Sequence, residues 1–344
     1  MWMEGFRIKI NSLTASVFLW FFYKIMSISW SSMVNNDVRM HMVSQIGMVL
    51  FVTTATTKVR SGKFLQNLMR MNYLCSFLFG ILSILSSGSY QDNERLAARQ
   101  VLTLWGRQND PNNCSAFLAI GIALAAYSLL CEKRNKGVNL VVIAVNTYAI
   151  ILTGSRGGFL LLAAIVLSLM FIPNWSNRFF AWEFVKRFMI VSVAISVTVI
   201  ILNKFTPTES LTRLLDFEGY EGGSGRSEKW GIALELIRQR PFFGWGWGGY
   251  TIIGISAVHN TYLTMLCDVG MLGTLLFFVP IFVAGIYALK NKYLLALIFF
   301  LCGLFPALSI DSINKRYFWN AIIIGYMLIQ YNQYTGRFVG VWQE

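Results

Sequence analysis

Charge is what this sequence has least of. Only 13% of its 344 residues are Asp, Glu, Lys or Arg, about half the share of an ordinary soluble domain. That scarcity excludes a soluble globular protein, and no stretch is polar enough to form a separate soluble domain. Histidine is scarcer still, with His41 and His259 the two in the chain. No cluster of His or carboxylates has metal-ligand spacing, which argues against a metal centre. The five cysteines, Cys75, Cys114, Cys131, Cys267 and Cys302, lie in or at the ends of apolar runs without metal-type spacing, so they read as small hydrophobic side chains. The first apolar run lacks a small-x-small cleavage site and carries Lys24, so it is read as a membrane span rather than a signal peptide.

Hydrophobic residues fill the space that charge leaves, at 56% of the chain. Runs of roughly 16 to 20 apolar residues recur along its length, and a run of about 20 crosses the hydrocarbon core as helix because lipid cannot satisfy open backbone groups. Ten spans are predicted, at 11–30, 40–57, 71–88, 114–131, 138–154, 157–172, 188–203, 260–289, 293–309 and 317–331. The expected fold is therefore all-α, a polytopic transmembrane helical bundle with one long, partly helical loop before the eighth span. Its parts are an N-terminal membrane bundle of about seven spans (1–203), the loop (204–259), and a C-terminal bundle of about three spans with a tail (260–344).

Alternating the connections across the membrane puts fifteen Lys and Arg against four acidic residues on the side of both termini, and thirteen against eleven on the other. The positive-inside rule assigns the first side to the cytoplasm. Arg156, in Gly154-Ser155-Arg156-Gly157-Gly158, then lies on the outer face between two closely spaced spans. Topology disfavours outer arginines, so an anionic ligand on that face is expected. Lys24 and Asp268 fall inside predicted spans, where ionisable residues are functional candidates or helix contacts. Arg95, Arg99 and Arg107 lie on the outer 89–113 segment, whose NERLAARQ stretch reads as a surface helix.

The long loop opens acidic and Gly-rich, LLDFEGYEGGSGRSEKW. It continues as an amphipathic helix, Ser227 to Gln239, with Trp230, Leu234 and Ile237 on one face, and Pro241 stops it. PFFGWGWGGY (241–250) follows, where Trp245 and Trp247 are candidates for sugar stacking or for an aromatic belt. The loop closes with His259-Asn260-Thr261-Tyr262-Leu263 as the chain re-enters the membrane. Histidine titrates near neutrality and can take a proton from a hydroxyl without a metal.

Four stretches in this order, NDPNNCSAFLAIG (109–121), TGSRGGFLLL (153–162), GRSEKWGIALELIRQRPFFGWGWGGY (225–250) and HNTYLTMLCDVGMLGTLLFF (259–278), resemble the O-antigen ligase and polymerase superfamily of bacterial envelope polysaccharide assembly. The resemblance implies a multi-pass inner-membrane glycosyltransferase, with both termini cytoplasmic and its active site on the periplasmic face. Its donor would be a glycan on undecaprenyl pyrophosphate, and its acceptor a hydroxyl of a lipid-linked glycan (polymerase), of lipid A-core or of a protein (ligase). By motif, His259 would be catalytic with Arg226, and Arg156, Arg226 and Arg240 would bind pyrophosphate. Asn260, Tyr262, Trp245 and Trp247 are weaker substrate-binding candidates. An inverting transfer without metal or cofactor is expected. Its partners would be membrane lipids and other polysaccharide-assembly proteins, with no nucleic acid. Polymerase is the preferred reading, ligase the alternative, and a lipid-linked glycan transporter the reading from another class. No motif falls in the first three spans.

Overall fold

In the computed structural model of the protein, which describes residues 11–31, 36–56, 61–90, 99–104, 107–171, 189, 226–250 and 257–342, the predicted apolar runs coincide with helices. The run at 188–203 and the acidic, Gly-rich opening of the long loop lie outside the described residues. Four helical stretches are long and apolar enough to cross a membrane: Ser12–Trp30, Gly62–Leu85, Pro111–Glu132 and Thr261–Lys290. Met42–Thr56, Lys136–Leu152, Arg156–Met170 and Leu294–Leu308 are shorter apolar helices. The chain packs into two units, each assembled from segments distant in sequence.

One unit comprises 1–62, 222–290 and 303–337. Helix α1 (Ser12–Met26, extended by a 3₁₀ turn to Trp30) starts at Asn11, whose side chain accepts the Thr14 backbone N–H at 2.9 Å. The unit also holds α2 (Asn36–Thr56) and, in the order of the whole chain, α7 (Arg226–Gln239), α8 (Thr261–Lys290) and α10 (Arg316–Thr335). Its core is aromatic. Trp20 of α1, Phe277 of α8 and Trp319 of α10 are essentially inaccessible to solvent, and the Phe277 ring lies 4.8 Å from Trp20 and 5.5 Å from Trp319. Such pairs add about 0.5–1.5 kcal/mol each beyond the area they bury.

The other unit comprises 63–221, 291–302 and 338–344. It contains most of α3 (Gly62–Leu85), α4 (Pro111–Tyr127, continued by a π turn to Glu132), α5 (Lys136–Leu152), α6 (Arg156–Phe171) and the first part of α9 (Leu294–Leu304). Lipid offers no hydrophobic drive between helices, so close approach and polar contacts hold them together. Gly121 of α4 brings its backbone against Ser76 of α3 and Asn146 of α5, leaving no room for a Cβ. At the same crossing Asn146 Nδ2 donates to Ser76 Oγ at 2.9 Å, and further along the Tyr73 hydroxyl donates to Asn139 Oδ1 at 2.8 Å.

Three sequence expectations are corrected here. Helix α3 begins at Gly62 rather than near 71, because its polar residues face protein: Gln66 is buried, and Arg70 Nε donates to the Val341 carbonyl. The chain then turns into a small antiparallel sheet of β1 (Ser87–Tyr90), β2 (Arg99–Leu104) and β3 (Arg107–Gln108), so the helix read over NERLAARQ does not include Arg99 and Gln100. Val101 and Leu102 bury on this sheet, and β-branched and leucine side chains at 101–104 suit a strand better than the arginines suit a helix face. Arg95 lies outside the described residues. Finally, α7 buries Ala233 and Leu236 with Trp230 and Ile237 beside them, while Leu234 points outward. The buried face is centred on 233, 236 and 237, and Leu234, one turn after Trp230, falls at its outer edge.

Helix α8 is one helix only in outline. Gly270 has φ 62° and ψ −169° and breaks it. The part after the break, 270–290, rises about 30 Å at 1.5 Å per residue, one hydrocarbon thickness. The part before it, 261–269, is the segment that meets the long loop.

Candidate functional site

The four sequence motifs divide between the two units, two in each, and within each unit the two are fastened together.

In the unit that carries Arg156, Asp110 opens α4. It accepts the Asn113 N–H at 2.9 Å, with Pro111 as the first helical residue. Both are favoured at a helix start, the carboxylate as acceptor for an orphan N–H and proline because its missing donor is not needed there. Ser155 opens α6 in the same way, its Oγ accepting the Gly158 N–H at 3.2 Å. The Ser155 hydroxyl also donates to Asn112 Oδ1 at 2.9 Å and receives a hydrogen bond from Ser115 Oγ at 3.1 Å. Gly158 lies so close to Ser115 that a Cβ would collide with it. Arg156 is thus the first residue of α6, half-buried, on a turn clamped by the Asp-Pro-Asn segment. A helix N-terminus carries partial positive charge, so a cation there is unfavourable for the helix itself and favourable for an anion.

Arg226, Arg240 and His259 belong to the other unit. Arg226 is the first residue of α7 and half-buried, so it too stands at the positive end of a helix. Helix α7 is held against the chain leading to α8: Trp230 Nε1 donates to the Val258 carbonyl at 3.1 Å, and Trp245 Nε1 donates to the Leu236 carbonyl at 2.9 Å. The Arg240 guanidinium lies 4.1 Å from the centre of the Trp245 ring. Arg240 and Trp30 flank an open cavity of about 380 Å³ whose other lining is Pro241, Phe242, Phe243 and Gly244.

The loop 241–250 enters the break in α8. Trp245 N–H donates to the Cys267 carbonyl and Gly246 N–H to the Asp268 carbonyl, both at 2.8 Å. In return Met271 N–H donates to the Pro241 carbonyl at 2.8 Å and Leu272 N–H to the Phe242 carbonyl at 3.2 Å. Backbone groups that Gly270 removes from the helix are satisfied by the loop, as buried backbone must be. Gly244, with φ 69°, fits against Gly270 so closely that neither has room for a side chain. Trp247 is buried, and the Lys24 ammonium lies 4.5 Å from its ring centre. The ring face that the sequence offered to a sugar is occupied by that lysine.

His259 is half-buried with φ 55°, a left-handed conformation that is uncommon outside glycine. Its backbone N–H donates to Asp311 Oδ2 at 3.1 Å, and Thr264 Oγ1 donates to Asp311 Oδ1 at 2.6 Å. The flanking chain is fixed as well: Thr261 Oγ1 donates to the Ile310 carbonyl and accepts the Ser312 N–H, each at 2.7 Å. Asn260 caps α8, its Oδ1 accepting the N–H groups of Tyr262 and Leu263 at 3.0 and 3.1 Å. The Tyr262 hydroxyl donates to the Leu304 carbonyl at 2.9 Å, and its ring stacks on Phe278. Asn260 and Tyr262 therefore make the contacts of capping and packing residues.

Asp311 was missed by sequence reading. The signal available was a lone acidic residue in the short segment before α10, and nothing local connects it to His259. Among the described residues no group of three or more His, Cys, Asp or Glu side chains could hold a metal ion.

No curated protein matches the chain. A family model described as O-antigen ligase matches residues 140–278, a stretch that contains Arg156, Arg226, Arg240 and His259 together with the loop and the broken helix. Over residues 140–278, the chain is thus similar to the O-antigen ligase family.

Proposed function

We propose that the protein is a glycosyltransferase of the bacterial inner membrane, working at the periplasmic face with undecaprenyl pyrophosphate-linked glycan as donor. The observation that carries this reading is that Arg156 and Arg226 each stand first in a helix. There a guanidinium and the partial positive charge of the helix end together favour a phosphate. Arg240, beside the open cavity of 240–244, is the third pyrophosphate ligand. Arginine suits the task because its planar fork matches phosphate oxygens and never loses its charge.

In the proposed step His259 takes the proton of an acceptor hydroxyl, and the freed oxygen bonds to the anomeric carbon of the donor sugar. The bond from that carbon to the pyrophosphate oxygen breaks, and undecaprenyl pyrophosphate leaves with its electron pair. The arginines offset the charge that develops on it. One displacement inverts the anomeric centre. No metal takes part in this step, so activity abolished by EDTA and restored by magnesium or manganese would overturn that part.

The acceptor we favour is a second lipid-linked glycan, making the protein a surface-polysaccharide polymerase. Delivery to lipid A-core or to a protein hydroxyl is the second reading. A gel of surface and lipid-linked glycans separates them in cells with the protein deleted, restored, or restored as His259→Ala. A ladder that collapses on deletion to one acceptor-attached repeat identifies a polymerase. Long chains that persist on undecaprenyl pyrophosphate without reaching their acceptor identify a ligase. Restoration of the wild-type pattern by His259→Ala would show the histidine to be structural.

A further inference from the structure

Two charges lie buried where apolar residues would cost less. Lys24, near the end of α1, is 6% exposed, and Asp268, just before the break in α8, is 4% exposed. Taking an ion out of water costs several kcal/mol even after relaxation, and well-packed apolar residues usually join two helices more cheaply. The surroundings of the pair show what else it holds.

Asp268 is the anchor of the loop that carries Arg240 and Trp245. Its carboxylate accepts the backbone N–H groups of Gly248 and Tyr250, and its own carbonyl accepts the Gly246 N–H at 2.8 Å. Gly244, Gly246, Gly248 and Gly249 leave the backbone between the packed aromatic side chains of this loop uncovered. Those backbone N–H groups need acceptors, and a carboxylate accepts several of them in charge-assisted hydrogen bonds. Lys24 supplies the opposing charge that Asp268 feels and holds the same loop from the other side. Its ammonium lies 4.5 Å from the ring centre of Trp247 and 5.2 Å from that of Trp20. The neighbouring end of α1 continues the grip: Trp247 N–H donates to Ser27 Oγ at 3.0 Å, and Ser31 Oγ donates to the Trp247 carbonyl at 2.9 Å.

We infer that Lys24 and Asp268 are a positioning pair for the donor-binding loop, and that the first span serves as its rear wall. The inference rests on the reading of Arg240 as a pyrophosphate ligand. It gives α1, which carries no sequence motif, a part in substrate recognition.

The test uses the full-length protein purified in detergent, with undecaprenyl pyrophosphate as the probe and tryptophan fluorescence as the readout. Lys24→Met weakens binding about 30-fold, the size of one desolvated cation–π contact. Lys24→Arg, which keeps charge and stacking, stays within about threefold of wild type. Lys24→Met alone leaves Asp268 uncompensated and lowers abundance, so the double variant Lys24→Met with Asp268→Asn is included. It regains wild-type abundance without regaining affinity. Wild-type affinity in Lys24→Met or in the double variant, or equal weakening by Lys24→Arg and Lys24→Met, would overturn the inference. Amide hydrogen exchange over 244–250 reads the loop directly and needs no ligand: exchange is faster in Lys24→Met than in Lys24→Arg, and equal rates would also overturn it. If the wild type binds no undecaprenyl pyrophosphate, the donor reading fails, while hydrogen exchange still decides the positioning role.

Discussion

The Arg156 turn and the loop at 241–250 are held in place by different means. At Arg156 the fastening is made by short side chains: Ser155 to Asn112, Ser115 to Ser155, and Ser115 packed against Gly158. In the loop that follows Arg240 it is made largely by backbone, with the loop's N–H and carbonyl groups paired to a broken helix and glycine against glycine. A side-chain lock can be loosened one hydroxyl at a time. A backbone lock has no partial setting, because moving any residue of it exposes several buried polar groups together.

The largest effect expected within this comparison is chemical. Arg156→Lys keeps the charge and the turn but loses the planar fork, and the proposed clamp then forfeits about 10²-fold or more in transfer. Arg226→Lys loses a similar factor. Assays of transfer from extracted lipid-linked glycan, normalised to protein in the membrane, measure both. Retention of most activity by Arg156→Lys would mean that the arginine only snorkels to headgroups.

Next in size are two glycines that distinguish the locks. Gly270→Ala adds a Cβ at φ 62° against the backbone of Phe242 and Gly244, and no neighbouring side chain can be trimmed to make room. A loss of about 3 kcal/mol is expected, from left-handed strain together with overpacking. Gly158→Ala collides with the Ser115 side chain and makes an ordinary contact with Ile150, so it costs about 1–3 kcal/mol alone and much less when combined with Ser115→Gly. Thermal unfolding in detergent of the wild type, Gly158→Ala, Ser115→Gly and their double variant gives the cycle, with Gly270→Ala measured beside it. Rescue of Gly270→Ala by any single side-chain truncation would erase the distinction.

How far these arrangements were legible in the sequence follows the same division. The helix over 227–239 and its stop before Pro241 could be read, because each is a local preference of named residues. The break at Gly270 could not. GMLGTLLFF continues an apolar run without interruption, and what opens the helix there is a loop arriving from 241–246. Lys24 and Asp268 were visible as buried charges, but their shared attachment to Trp247 and Gly248 was not. The antiparallel pairing of 87–90 with 99–102 was hidden for the same reason, since partners distant in sequence leave no periodicity to count.

Asp311 belongs with these long-range partners and gives the third prediction. Asp311→Ala removes the acceptor of the His259 N–H and of the Thr264 hydroxyl, freeing His259 to leave its left-handed conformation. A displaced general base costs about 10-fold to 10²-fold in rate. Because the effect acts through His259, it appears in kcat with little change in donor KM, and it vanishes in a His259→Ala background. An equal Asp311→Ala penalty on residual activity in that background would mean that Asp311 acts by another route.

The smallest effect comes from loosening the side-chain lock by one hydroxyl. Ser155→Ala removes the cap of α6 and both hydroxyl contacts of Ser155, to Asn112 and to Ser115. A lost N-cap costs about 1 kcal/mol. Asn112 and Ser115 keep other neighbours, Ser115 through its hydrogen bond to the Asn112 carbonyl at 2.8 Å. The turn is therefore expected to loosen rather than open, shifting thermal unfolding by a few degrees for a chain of this size and lowering transfer less than Arg156→Lys does. Ser155→Thr, which keeps the capping oxygen, should restore stability. Loss of transfer in Ser155→Ala as deep as in Arg156→Lys would make the hydroxyl itself a ligand of the substrate, and the turn more than a mount for the arginine.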